Sequence, residues 1–129
     1  WTRVPCRGHV PSARAGHTVA LAPSTSDAGW DLCIFGGGDG TRGFADLFRL
    51  DLSALEWAKV SSPTDSKSGL TPREGATCVA AGTLLVVFGG YTATGCSADT
   101  FSATQGIQGS PLHETLLMAR EDEKARALD

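Results

Sequence analysis

A near-repeat within the chain constrains its fold more than any other feature. Leu32-Cys33-Ile34-Phe35-Gly36-Gly37 returns as Leu85-Val86-Val87-Phe88-Gly89-Gly90, an offset of 53 residues (32 to 85). At the same offset Ala45-Asp46-Leu47-Phe48 returns as Ala98-Asp99-Thr100-Phe101, and Thr41 returns as Thr94. A further echo links Trp1-Thr2-Arg3-Val4 with Trp57-Ala58-Lys59-Val60. Self-similarity at this period marks a repeat architecture, in which each unit buries its apolar faces against its neighbours.

Within the first unit, residues 17–22 alternate well enough for a strand. Residues 23–29 combine Pro, Ser, Asp and Gly, which is turn chemistry. Residues 32–35 form a short, continuously apolar run, as expected of a strand buried on both faces. Residues 46–52 set Leu47 and Phe48 against Arg49 and Asp51, and residues 56–60 supply a fourth strand. The pattern then restarts: residues 77–81, 83–88 and 99–104 repeat the first three strands, with Gly82 at a tight turn. Residues 1–4 read as the end of a strand belonging to a preceding unit.

The second unit lacks its fourth strand, because the chain there reads Gln105-Gly106-Ile107-Gln108-Gly109. Ser110-Pro111 then pairs an N-cap residue with a proline suited to the first helical position. Leu112, Leu116 and Ala119 fall on one face of a helix expected over 111–129, after a linker at 105–110. The chain opens on Trp1, inside a repeated motif, and its single methionine is Met118. It is therefore expected to be part of something longer.

Four short strands per unit at a period near 50 residues point to β-propeller blades. Each unit carries an Arg near its start (Arg14, Arg73), an apolar run closed by a glycine pair, and then Asp-x-Phe (Asp46 and Phe48; Asp99 and Phe101). Trp57 closes the first unit, and Arg14-Ala15-Gly16-His17 supplies an Arg-x-x-His opening. This arrangement over residues 1–104 resembles the kelch repeat. Two departures stand out: Ala76 replaces the histidine in the second unit, and the closing Trp strand is missing there. The resemblance implies an all-β fold of kelch-type propeller blades in an incomplete propeller, with a short C-terminal α-helix. Residues 1–4 would be the outer strand of a preceding blade, 14–60 a full blade and 73–104 a partial one.

The motif residues also have a physical reading of their own. A glycine pair after a buried strand permits positive φ or close backbone approach. Trp57 offers a large apolar face and is expected to cover that pair. Asp46 and Asp99 are expected to accept backbone hydrogen bonds in the glycine loops.

Little in the sequence points to chemistry. The charge balance, 11 basic against 14 acidic residues, gives no electrostatic case for nucleic acid or an anionic membrane. The longest apolar stretch, residues 84–88, falls far short of the roughly 20 residues a membrane helix needs. Cys6, Cys33, Cys78 and Cys96 form no Cys-x-x-Cys pair, and His9, His17 and His113 have no ligand at metal-site spacing. Free thiols in a reducing, cytoplasmic compartment are the simpler reading, with disulfides in a secreted chain as the alternative. Gly36-x-Gly38-x-Gly40 precedes a strand and not a helix N-terminus, so a phosphate loop has no physical basis. Some kelch propellers are enzymes. The copper-containing galactose oxidase type needs Tyr and His ligands with a cross-linked Tyr–Cys pair, and this chain has only Tyr91. No catalytic residue, cofactor or metal is expected.

Loops after the second and fourth strands of a blade emerge on one face. Here they are residues 38–45, 91–98, 5–13 and 61–73. Among their residues, Arg14, Asp39, Arg42, Phe44, Arg73 and Tyr91 are the candidates for contact with a partner, with Arg7 nearby, because exposed Arg and aromatic side chains favour protein interfaces. The expected function is non-catalytic protein–protein interaction, as a scaffold or adaptor module. The alternatives are a structural component of a large cytoskeletal-type assembly, or part of a propeller enzyme whose active site lies outside this segment.

Overall fold

The computed structural model describes residues 1–24, 26–61, 70–82, 84–104 and 126–127. Ten short strands make up its regular structure. Strands β1 (Arg7–Gly8), β2 (Thr18–Pro23), β3 (Trp30–Phe35), β4 (Leu47–Asp51) and β5 (Glu56–Ser61) form one sheet in the order β1-β5-β4-β3-β2. Strands β6 (Thr77–Ala81), β7 (Leu84–Phe88) and β10 (Thr100–Thr104) form a second in the order β10-β7-β6. A small hairpin joins β8 (Tyr91–Thr92) to β9 (Gly95–Cys96).

Turn chemistry sets the meander. Ser24 donates its N–H to Gly29 at 3.0 Å, and Asp27 accepts from the Gly29 N–H at 2.7 Å, which closes β2 onto β3. Asp51 accepts from the N–H groups of Ser53 and Ala54 at 2.8 and 2.9 Å and turns β4 into β5. These bonds, with one from the Ser26 hydroxyl, hold its carboxyl below the usual range.

Alternation then sorts the side chains. Each sheet has two faces, and the face of the first sheet that carries Ala20, Ala22, Cys33, Phe35 and Leu47 packs on the second sheet. The second sheet answers with Ala76, Leu85 and Val87, flanked by Cys78 and Ala80. This shared layer is the core. The two sheets stand side by side as adjoining blades, and the described residues do not close a ring. We call the face of a blade that looks toward the next unit its trailing face, and the opposite one its leading face.

The four strands expected in the first unit and the three in the second appear within two residues of their sequence-read bounds. Residues 1–4 pair with neither described sheet, and Trp1 is wholly exposed. The outer edge of β5 is taken by Arg7–Gly8, which pairs with it in parallel, so residues 7–9 lie along the outer rim of the sheet. Two readings need correction.

Trp57 does not cover the glycine pair. It pairs with Leu50, which pairs with Leu32, so it sits several residues along the sheet from Gly36 and is only half-buried. The space beside the glycines is filled by backbone. A Cβ on Gly36 would lie 2.7 Å from the Arg73 carbonyl oxygen, and one on Gly37 2.6 Å from that of Ala15.

Asp46 does not serve the loop backbone through its carboxylate; it pairs with Arg14. The helix expected over 111–129 and its 105–110 linker lie outside the described residues, apart from 126–127.

Candidate functional site

The glycine loops are held by a construction that occurs twice. In the first blade, Arg14 donates to the Gly36 carbonyl at 3.1 Å and to the Ser12 carbonyl and hydroxyl at 3.1 and 3.3 Å. In the second, Arg73 donates to the Gly89 carbonyl at 2.9 Å and to the Thr71 carbonyl and hydroxyl at 3.2 and 3.3 Å. The planar guanidinium has five donors in a fixed fork, which suits it to join several acceptors at once. Each guanidinium also lies over an aromatic ring: Arg14 over Phe44 at 4.1 Å and Phe48 at 5.3 Å, Arg73 over Phe101 at 4.9 Å.

Three of the residues expected to meet a partner are therefore internal. The Arg14 side chain is 4% exposed, Arg73 as a residue is 2% exposed, and Phe44 is buried over the Arg14 guanidinium. Their polar capacity is spent on loop carbonyls and their ring faces on cations. A fourth, Asp39, is exposed but spent on its own turn. Its carboxylate accepts from the Thr41 N–H and hydroxyl at 2.9 and 2.7 Å and from the Arg42 N–H at 3.0 Å. The Thr41 hydroxyl and these amides hold its carboxyl down to about 2.

Two candidates remain accessible, and one cleft brings them together. Arg42 lies on the 38–45 loop with its side chain 73% exposed, loosely paired with Asp39 at 3.8 Å. Tyr91 opens the small hairpin and is 65% exposed. Both line an open cleft together with the segment 71–74. The 38–45 and 91–98 loops and the end of the 61–73 loop thus meet at one cleft, and the 5–13 loop does not line it.

Sequence reading missed Glu74, which lines the same cleft. Its N–H donates to Tyr91 and its carbonyl accepts from the Tyr91 N–H, at 3.0 and 2.7 Å, so the hairpin is pinned to it. Its side chain lies close over Gly16 and Gly38 of the first blade, where a Cβ on Gly38 would collide with the carboxylate. The only local signal was its place directly after Arg73. The hairpin was missed as well, because two-residue strands carry no periodicity.

The cleft offers a cation, a carboxylate and a phenol on a rigid, sheet-supported rim. No three His, Cys, Asp or Glu side chains gather as metal ligands would among the described residues. Among the same residues, no helix is long and apolar enough to cross a membrane. All four cysteines are free: Cys33 is buried, Cys6 and Cys78 are half-buried and Cys96 is exposed.

Comparison with known proteins agrees with this geometry. The family model of the KLHDC2/KLHL20/DRC7 kelch-repeats domain matches residues 1–106. Acyl-CoA-binding domain-containing protein 4 of Arabidopsis thaliana is 35% identical over 98 residues, 75% of this chain and 14% of that protein. Human host cell factor 2 is 31% identical over 91 residues, 70% of this chain and 11% of its own length. The bovine Rab9 effector protein with kelch motifs is 34% identical over 74 residues, 57% of this chain and 18% of its own length. The chain thus spans less than a fifth of these relatives.

Proposed function

The chain belongs to the kelch-repeat family, and from that premise we propose that it is a non-catalytic protein-binding module, recognising its partner through the cleft between the 38–45 loop and the β8–β9 hairpin. The observation that carries this reading is the pairing of exposed Arg42 and exposed Tyr91 across one cleft, on loops braced by the buried Arg14 and Arg73. Arg and Tyr are the residues that most often anchor protein interfaces, and loops on a rigid scaffold are where binding concentrates. The cleft is wide and open, which suits a protein segment better than a small substrate shielded from water. One relative's name, Rab9 effector protein with kelch motifs, is also that of an interacting protein. The other names are diverse, so the shared kelch segment supports binding in general and leaves the partner specific to each protein.

We place the module in the cytoplasm, where four unpaired thiols persist without oxidation. An adaptor or scaffold role follows if the rest of the protein carries a second activity.

The test is affinity capture with quantitative mass spectrometry, comparing the wild-type protein with Arg42→Ala and Tyr91→Ala. Both side chains are exposed, so far-UV circular dichroism and thermal melts should be unchanged. Proteins recovered by the wild type and depleted at least about tenfold by each variant support the cleft as the site, a loss typical of an interface anchor. Equal recovery of every protein by all three would defeat it.

A further inference from the structure

The clasp of the second blade lacks a charge that the first blade supplies, and a hydroxyl stands beside the place where that charge belongs. In the first blade Nη2 of Arg14 donates to the Ser12 hydroxyl at 3.3 Å and to Asp46 at 3.4 Å. In the second, Nη2 of Arg73 donates to the Thr71 hydroxyl at 3.3 Å. No carboxylate lies within ion-pair distance of Arg73 among the described residues. Asp99, the counterpart of Asp46 in the repeat, is reached only through the Ser97 hydroxyl. Arg73 is nonetheless buried. A buried guanidinium without a counter-charge is costly, so an anion brought to it is favoured.

Thr71 is the residue placed to carry one. It is exposed, its carbonyl and hydroxyl both accept from the Arg73 guanidinium, and it lines the open cleft. It also precedes Pro72, which makes it a Thr-Pro site of the kind that proline-directed kinases read. Pro72 packs on Gly43, its Cβ 3.1 Å from one built on the glycine, so the Thr-Pro segment lies against the loop that carries Arg42. Arg42 lines the same cleft and is only loosely paired with Asp39. Asp39 is committed to its own turn. The remaining charged group of the cleft is Glu74, whose carboxylate is turned onto Gly38 and Gly16 of the first blade. Two guanidinium groups therefore outweigh one averted carboxylate around Thr71. Ser12, the equivalent residue of the first blade, differs on both counts: Ala13 follows it, and Asp46 already pairs with Arg14.

We propose that Thr71 is a phosphorylation site, and that its phosphate seats between Arg73 and Arg42 as the counter-charge that Asp46 provides in the first blade. The modifying partner is a proline-directed Ser/Thr kinase with ATP. Oγ1 of Thr71 attacks the γ-phosphorus and an O–P bond forms. The bond to the bridging β-phosphate oxygen breaks, ADP leaves, and the hydroxyl proton passes to the kinase's base. The product carries about −1.5 to −2 charge at neutral pH and three strong acceptor oxygens. These extend from an atom that Nη2 of Arg73 already touches, and that nitrogen has a second N–H to offer. The modification completes a clasp inside the chain and holds whatever the cleft binds.

The experiment phosphorylates the chain with a purified proline-directed kinase and ATP. The sequence has three Ser/Thr-Pro sites, at Ser62, Thr71 and Ser110, so Ser62→Ala with Ser110→Ala leaves Thr71 alone. Mass spectrometry should then find one phosphoryl group, on Thr71. Phosphorus NMR reads the second pKa of that phosphate. It should fall at least about one unit below the roughly 6 of an unperturbed phosphothreonine, because neighbouring cations favour the dianion. In urea it should return to the unperturbed value, and Arg42→Ala should give back part of the shift in the folded chain. The phosphorylated chain should also melt at a higher temperature than the unmodified one. Failure of the kinase to modify Thr71 overturns the proposal, as does the same pKa in the folded and the urea-unfolded chain. A melting temperature unchanged or lowered by the phosphate, or a pKa indifferent to Arg42→Ala, overturns it too, since the phosphate would then not lie between the two guanidinium groups.

Discussion

The guanidinium of Arg14 holds both carboxylate oxygens of Asp46, at 2.5 and 3.4 Å, inside the first blade. The second blade keeps the same two residue types but not the pair. Arg73 donates to the Ser97 hydroxyl at 3.3 Å, and that hydroxyl donates to Asp99 at 3.1 Å. Ser97 occupies the place of Phe44, the ring that covers Arg14. The substitution of a hydroxyl for a phenyl ring turns a closed, buried ion pair into a relayed one. Asp46 is buried, whereas Asp99 is exposed.

That difference predicts unequal mutational costs. Asp46→Ala removes one partner of a buried pair and leaves a guanidinium short of its counter-charge, a loss of about 3–5 kcal/mol. Asp99→Ala removes an exposed relay member and should cost no more than about 1 kcal/mol. Equilibrium urea unfolding of the two variants measures both, and equal losses would show that the pair does not brace the first blade.

The glycine pair gives a second contrast. Gly37 and Gly40 both have positive φ, 89° and 91°. Any side chain at either position is strained by about 1–2 kcal/mol. Only Gly37 is also packed, with the Ala15 oxygen and the His17 nitrogen 2.6 and 2.9 Å from a built Cβ, while Gly40 has nothing within 4 Å. Gly37→Ala should therefore cost at least about twice as much as Gly40→Ala and disturb the loop at Ala15. Thermal melts of the two variants rank them directly.

The strands were legible because alternation and apolar runs are local signals. Residues 77–81 show this best, matching β6 residue for residue. The fate of the loop side chains was not legible. Arg14 and Arg73 look like surface residues in any short window, and what buries them lies 32 residues away at Asp46 and 16 away at Gly89. A signal was nonetheless present, since Ser12-x-Arg14 returns as Thr71-x-Arg73. Read together with the recurring glycine pair and Asp, it marks a repeated internal clasp. Trp57 failed for a different reason. Its expected cover over the glycines depends on sheet register, and β4 with its irregularity between Leu47 and Phe48 separates the two.

Trp57→Ala should accordingly cost less than the roughly 3–5 kcal/mol of a fully buried aromatic. The half-buried ring on the outer strand gives an expected loss of about 1–2 kcal/mol. Guanidinium unfolding monitored by circular dichroism checks this. A loss in the fully buried range would show that further parts of the chain cover the indole.

Cys33 yields the last prediction. It sits at the blade junction, and burial, reinforced by Asp31 and Cys78 and only partly opposed by Arg49, pushes its thiol up from 9.0 to about 12. The thiolate is the nucleophile, so folded Cys33 should resist iodoacetamide while exposed Cys96 reacts. Cys33 should label only on unfolding. The same shift links stability to pH. The folded state holds its proton where the unfolded chain releases it, so the contribution is complete below pH 9 and is lost as pH rises from 9 toward 12. Removing the thiol by Cys33→Ala should flatten that alkaline decline in a series of melts across the range, whereas Cys96→Ala should leave it unchanged. A decline that is equally steep in both variants would mean that other groups set the alkaline limit of the fold.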